Sequence, residues 1–99
     1  MRRVVWSEAA KADIRAQVEY FAADEPLAAR RMVLALHDAG VALGTFATGH
    51  PGRVSGVYEK SVRGLPYIIA YALTDGDEAV SILRVILTAR DWRDHSWPE

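Results

Sequence analysis

Residues 78–92, EAVSILRVILTARDW, contain an apolar strand around which we expect the rest of the chain to be organised. Valine, isoleucine and leucine dominate residues 80–87, as in a strand that is covered on both faces or nearly so. One charge, Arg84, lies in the middle of this run. A charge in a buried strand is costly unless it is paired or faces a surface that a partner covers. Arg84 and the polar, aromatic tip that follows the strand (Arg90, Asp91 and Trp92) are therefore the first candidates for function.

Two further strand-like segments precede this strand. Residues 57–62 form the more polar segment, and residues 67–73 (YIIAYAL) form a nearly continuous apolar run. The turn sequences between the strands are short, and Asp75-Gly76-Asp77 is typical of a hairpin because glycine and aspartate tolerate tight turns. Short turns between consecutive strands predict an antiparallel meander.

The N-terminal half predicts a strand followed by a helical hairpin. Residues 2–6 read as a short strand, and Ser7 is a suitable N-cap for a helix that extends to about residue 23. Pro26 suits the first turn of a second helix. The apolar stripe of this second helix alternates spacings of three and four residues and comprises Ala29, Met32, Leu36, Ala39, Leu43 and Phe46. Gly40 and Gly44 interrupt the pattern, which indicates either a close backbone approach or a helix that ends near Gly44.

Composition limits the classes of protein that the chain can belong to. Its 99 residues suffice for one domain, residues 1–99, with the α+β order β-α-α-β-β-β and two helices packed on a small, mainly antiparallel sheet. The chain has no cysteine, and its formal net charge is −1, so neither a thiolate metal site nor a strongly basic nucleic-acid surface is predicted. No apolar run predicts a signal peptide or a membrane span. We expect a cytoplasmic protein without metal or cofactor.

Several segments together resemble one family. They are WSEAAKADI at residues 6–14, HPG at 50–52, PYIIAY at 66–71, ILRV at 82–85 and ARDW at 89–92. In this order, and with the predicted β-α-α-β-β-β arrangement, they resemble toxins of the RelE/ParE superfamily from bacterial type II toxin–antitoxin modules. That superfamily has RelE-like members, which cleave mRNA in the ribosome, and ParE-like members, which inhibit DNA gyrase without cleavage chemistry.

The residues at the RelE-like catalytic positions favour the ParE-like branch. Ribonucleolytic chemistry needs a group that activates the ribose 2′-hydroxyl and cations that stabilise the charged phosphorane. When the chain is matched on Tyr67, the two strand lysines of RelE-like members fall on Glu59 and Ser61, and an arginine falls on Ile68. Only the arginine that follows the last strand has a match, Arg90. A carboxylate, a hydroxyl and an alkyl group cannot replace three cations, so no catalytic residue is assigned.

Six residues are the candidates for contact with a target or an antitoxin: Lys60, Arg63, Tyr67, Arg84, Arg90 and Trp92. Lys60 lies one residue from a RelE-like lysine position, and only a bulge would turn it to the same sheet face. Arg84 has an alternative role as the partner of Glu59 or another nearby acid. A core position is the preferred interpretation of Tyr67, and packing against the sheet edge is the alternative for Trp92.

The resemblance implies partners as well as a fold. It implies a ParD-like antitoxin that neutralises the toxin in a hetero-oligomer, and DNA gyrase as the target. It does not imply a membrane or a specific nucleic-acid sequence as partner. A histidine that many ParE-like relatives carry near the end of the last strand is replaced here by Leu87 and Thr88. A displaced ribonuclease site built from Lys60, Arg63, Arg84 and Arg90 remains the alternative, as does a relative that binds antitoxin without being toxic.

Overall fold

The computed structural model describes residues 1–52 and 54–88, which form two helices packed against a five-stranded sheet. The order along the chain is β1, α1, α2, β2, β3, β4 and β5. Their bounds are Arg3–Trp6 for β1, Glu8–Ala22 for α1, Pro26–Thr45 for α2, His50–Pro51 for β2, Tyr58–Ser61 for β3, Tyr67–Thr74 for β4 and Ala79–Leu87 for β5. The predicted α+β class and helical hairpin are confirmed.

The sheet has the strand order β1-β5-β4-β3-β2. The predicted meander is present because β3, β4 and β5 pair antiparallel to one another. β1 pairs with β5 in parallel, so the sheet is mixed, although most of its pairings are antiparallel. The sequence did not indicate β2, in which His50 and Pro51 pair with Glu59 and Tyr58 at the edge of the sheet.

The helix boundaries follow from local chemistry. Ser7 Oγ accepts a hydrogen bond from the backbone N–H of Ala10 at 3.0 Å, which is the predicted N-cap contact. Gly44 permits a close approach, because a Cβ there would lie 2.8 Å from the carbonyl oxygen of Arg2. The Arg2 N–H in turn donates to the Gly44 carbonyl at 2.7 Å, so this hydrogen bond connects the end of α2 to the residue that precedes β1.

One residue of the predicted apolar stripe is wrongly placed by the helical pattern. α2 ends at Thr45, and Phe46 has extended backbone dihedral angles, so its side chain leaves the helical phase. Phe46 is 71% exposed, whereas Met32, Leu36 and Leu43 lie in the core beneath α2. The one-residue difference in the helix end therefore moves a large aromatic side chain from the core to the surface.

A β-bulge in β5 explains how Arg84 fits into an apolar strand. Tyr71 is opposite Ile82, but Ala70 is opposite Arg84, so Leu83 is an extra residue in β5. Val80 and Ile82 are buried before the bulge and Val85 after it. Without the extra residue, period-two alternation would place Arg84 on the core face and Val85 on the other. The bulge exchanges them.

Some predicted features lie outside the described residues. These are the candidates Arg90 and Trp92, together with Asp91 of the polar tip. Within residues 1–52 and 54–88, neither helix combines the length and the apolar character that crossing a membrane would require.

Candidate functional site

Arg84 is held by Asp13 of α1. Arg84 Nε and Nη2 donate to the two carboxylate oxygens of Asp13 at 2.7 and 2.8 Å. The Arg84 side chain is 34% exposed and that of Asp13 is 16% exposed. The hydrogen bonds and the charge of Asp13 raise the pKa of Arg84 further above its ordinary value, against the effect of partial burial. The acid that pairs with Arg84 is therefore Asp13, and not Glu59.

The same carboxylate closes an open edge of the sheet. β1 ends at Trp6, opposite Ile82, so β5 continues beyond its parallel neighbour. There, Ser7 Oγ donates to the carbonyl oxygen of Leu83 at 2.8 Å, and Asp13 accepts from the backbone N–H of Val85 at 2.9 Å. Two side chains from the start of α1 thus replace the missing strand. The charge of Arg84 is part of this structural contact.

Lys60, the other candidate cation on a described strand, lies on a different sheet face from Arg84. The register places Lys60 opposite Ile69, which is opposite Val85, whereas Arg84 shares its row with Ala70 and Glu59. Residues that are opposite each other in neighbouring strands project from the same sheet face, so Lys60 and Arg84 belong to different faces. The register between β3 and β4 is regular, and no bulge turns Lys60 to the face of Arg84. Arg63 is exposed in the turn that follows β3.

Glu59 occupies the position that matches a RelE-like strand lysine, and it is buried. Its carboxylate lies over Gly52, where a Cβ would come within 2.8 Å of Glu59 Oε2. A carboxyl group at this position does not supply the positive charge that a phosphate requires.

Tyr67 belongs to the core, as its preferred interpretation predicts. Its hydroxyl lies 3.0 Å from Gln17 Oε1 of α1 and 3.1 Å from Met32 Sδ of α2. Burial raises the pKa of this hydroxyl, which keeps it neutral at physiological pH. Tyr67 therefore joins the sheet to both helices, and a partner would have to displace a helix to reach it.

A cleft of about 360 Å³ lies beside the C-terminal end of α2, next to β3 and β4. Its lining is mixed, about as polar as apolar, and consists of Arg2, Thr45, Phe46, Ala47, Thr48, Tyr58, Tyr71 and Leu73. The rings of Tyr58 and Tyr71 stack with their centroids 5.6 Å apart. The Gly49 N–H donates to the Tyr71 hydroxyl at 2.8 Å, and burial raises the pKa of Tyr71. Phe46 forms an exposed wall of this cleft.

Sequence reasoning did not identify this cleft. Its residues come from four separate segments, and the helical pattern assigned Phe46 to the core. The only local signal was the pair Gly40 and Gly44, which marks the approach of β1 to the last turns of α2. Gly40 faces the Trp6 ring, and Gly44 faces Val4 and the Arg2 carbonyl.

The fold is found in solved toxin–antitoxin proteins. It matches a chain of the chromosomal ParDE system from P. aeruginosa with a TM-score of 0.77 and 22% identity, covering 86% of this chain and 94% of that one. It also matches a chain of the RelBE2 toxin–antitoxin complex from Mycobacterium tuberculosis, with a TM-score of 0.54 and 24% identity over 85% and 94% of the two chains. These likenesses define the class of fold.

A family model described as the ParE toxin of the type II toxin–antitoxin system parDE matches residues 4–92, so the chain belongs to this family. Toxin RelE2 of Caulobacter vibrioides is 36% identical over 91 residues, covering 91% of this chain and 99% of that protein. The resemblance to the RelE/ParE superfamily predicted from the sequence is confirmed. Because the relatives carry both RelE and ParE names, the names do not separate the two activities.

Proposed function

We propose that this ParE-family toxin acts by binding DNA gyrase and not by cleaving RNA. The observation that carries the proposal is that the two candidate cations on the described strands do not converge: Arg84 is neutralised by Asp13, and Lys60 belongs to the opposite sheet face. A phosphorane needs several convergent cations. The buried carboxyl group of Glu59 also does not supply the positive charge that an RNA backbone requires.

A ParD-like antitoxin would neutralise the toxin by covering apolar surface. The cleft walled by Phe46, Tyr58 and Tyr71 is the surface that we assign to a folding antitoxin segment, because it combines an exposed aromatic side chain with a partly apolar floor. A disordered tail that folds on its partner gains affinity from such burial. The solved relatives are described as toxin–antitoxin systems, which supports a partner of this class.

The second candidate is a ribosome-dependent mRNA endoribonuclease. The observation in its favour is the relationship to toxin RelE2, which spans almost the whole length of both chains. Its catalytic set would have to be assembled from Lys60, Arg63 and Arg90 after a rearrangement that releases Arg84 from Asp13.

Induced expression in bacteria separates these functions. A gyrase inhibitor should change plasmid supercoiling within the first generation, with mRNA left intact when its 5′ ends are mapped. Cleavage at ribosomal A-site codons, with unchanged supercoiling, would contradict the proposal and favour the ribonuclease. Normal growth with neither effect would indicate a relative that binds antitoxin without toxicity. Purified gyrase and the purified chain in a supercoiling assay provide the direct control.

A further inference from the structure

The outward face of α2 carries an apolar stripe that the rest of the described chain does not cover. Leu27, Leu34 and Val41 are 69%, 56% and 47% exposed. They are spaced by seven residues, or nearly two helical turns, and therefore lie along one side of the helix. The buried face of the same helix, which includes Met32, Leu36 and Leu43, points toward the sheet. The stripe is symmetric about Leu34.

The charges beside the stripe are also arranged about Leu34. At about 100° per residue, Arg31 and Asp38 lie on the same flank of Leu34, about 60° and 40° from it. Arg31 precedes Leu34 by three residues, and Asp38 follows it by four. Both residues are exposed. Within residues 1–52 and 54–88, Arg31 makes no ion pair, and Asp38 has only His37 at 3.7 Å.

We propose that a second copy of this chain packs antiparallel along the outward face of α2, with the two-fold axis beside Leu34. The two Leu34 side chains would then meet, and Leu27 of each copy would contact Val41 of the other. An antiparallel two-fold brings a residue that precedes Leu34 level with one that follows it. Arg31 and Asp38 differ by one residue in their separation from Leu34. Arg31 of one copy and Asp38 of the other therefore lie within about 1.5 Å of each other along the helix axis.

In this arrangement the Arg31 and Asp38 of each copy both have an oppositely charged partner in the other copy. Each Arg31 pairs with Asp38 of the second copy, and symmetry repeats the contact at the other end of the interface. The other flank brings Arg30 near His37 of the second copy. An apolar partner of another kind would use the stripe but would not require opposite charges placed symmetrically about its centre. This self-complementarity is the reason for choosing a second copy as the occupant.

The expected dimer is weak. One helix pair is small compared with the roughly 1,200–2,000 Å² of a stable specific interface. The association should therefore depend on protein concentration. The proposal is independent of the toxin's target, because none of the stripe residues or their flanking charges lines the cleft or contacts the Arg84–Asp13 pair.

A single introduced cysteine tests the position of the two-fold axis. The chain has no cysteine, so Leu34→Cys in the full chain, made by cell-free synthesis, carries the only thiol. Mild oxidation should convert most of this variant to a disulfide-linked dimer, because the two Cβ atoms meet at the axis. Ala12→Cys, at an exposed position of α1, is the matched control and should remain mostly monomeric. Equal crosslinking of the two variants would overturn the proposal.

Charge reversal tests the pairing. Sedimentation equilibrium should show that Arg31→Glu and Asp38→Arg each weaken self-association by about tenfold or more, because each creates two like-charge contacts. An equimolar mixture of these two variants should form a heterodimer at least as readily as the unmodified chain. In that heterodimer the introduced glutamate faces the introduced arginine at one end of the interface, and the original Arg31–Asp38 contact is kept at the other.

Circular dichroism checks that both charge-reversal variants are folded. An unmodified chain that stays monomeric at its highest soluble concentration, or single variants that dimerise unchanged, would refute the interface.

Discussion

At the scale of the residue, Arg84 shows that an isolated charge in an apolar strand need not be a catalytic cation. Its Nε and Nη2 both donate to Asp13, and the same carboxylate accepts the Val85 N–H. The sequence correctly predicted that the charge requires a partner, but the acid lies 71 positions away, on a helix whose docking the sequence does not specify. Substituting Arg84 should therefore lower stability as well as toxicity. The stability of each Arg84 variant has to be measured before a loss of toxicity is assigned to a lost target contact.

Replacing Asp13 by alanine should lower the free energy of unfolding by about 2 kcal/mol, because a half-buried guanidinium and a strand N–H both lose their acceptor. Asp13→Asn should cost less, since its amide oxygen still accepts from Val85. Urea denaturation of the purified chain measures both.

The matched control is Asp24→Ala, an exposed acid beyond the end of α1, which should change the stability by less than about 0.5 kcal/mol. In the double variant Asp13→Ala/Arg84→Met, the loss should be smaller than in Asp13→Ala alone, because no buried charge remains unpaired. A double variant that is less stable than Asp13→Ala would show that Asp13 does not stabilise the protein by compensating the charge of Arg84.

At the scale of the element, the sequence predicted the type and order of the helices and of four strands because each has a strong period or a clear boundary residue. It could not predict β2, since His50 and Pro51 are too few to form a pattern. It could not predict the bulge at Leu83 either, because a bulge depends on the pairing with β4 and leaves the composition of β5 unchanged. The exposure of Phe46 depended on a helix end that periodicity resolves only to a few residues.

Gly44→Ala tests whether the end of α2 is fixed by contact with β1. Helix propensity alone predicts a gain of about 1 kcal/mol. The added Cβ would lie 2.8 Å from the Arg2 carbonyl oxygen, and backbone atoms cannot turn aside as a side chain can. Overpacking of this kind costs about 1–3 kcal/mol, so we expect a net loss of stability in thermal denaturation.

The reverse substitution at an exposed neighbour, Ala42→Gly, should also destabilise the protein, by roughly 1 kcal/mol, because glycine has a lower helix propensity than alanine. Propensity cannot make both substitutions destabilising, because they are opposite in kind. A more stable Gly44→Ala variant would show that the backbone at the start of β1 shifts to make room for the added Cβ.

At the scale of the whole molecule, the helical hairpin makes its main sheet contacts with β1 and β5. The cleft beside Phe46 lies toward β3 and β4, whereas the outward stripe of α2 faces away from the sheet. The protein therefore presents two surfaces with exposed apolar side chains, which we assign to an antitoxin segment and to a second copy. Occupation of one surface should leave the other accessible, so a complex with two toxins and two antitoxins is compatible with both assignments.

Phe46→Ser tests the cleft as the antitoxin surface. Full burial of a phenylalanine is worth about 1.5–3 kcal/mol, so calorimetric titration with the cognate antitoxin should show about 10–100-fold weaker binding. Tyr20→Ser is the matched control, because Tyr20 is 73% exposed, compared with 71% for Phe46, but lies on α1 outside the cleft. Neither side chain is in the core, so both variants should unfold at the same urea concentration as the unmodified chain. Equal affinities of Phe46→Ser and Tyr20→Ser for the antitoxin would show that the antitoxin binds outside the cleft. The assignment of the cleft to the antitoxin depends on burial of the Phe46 ring.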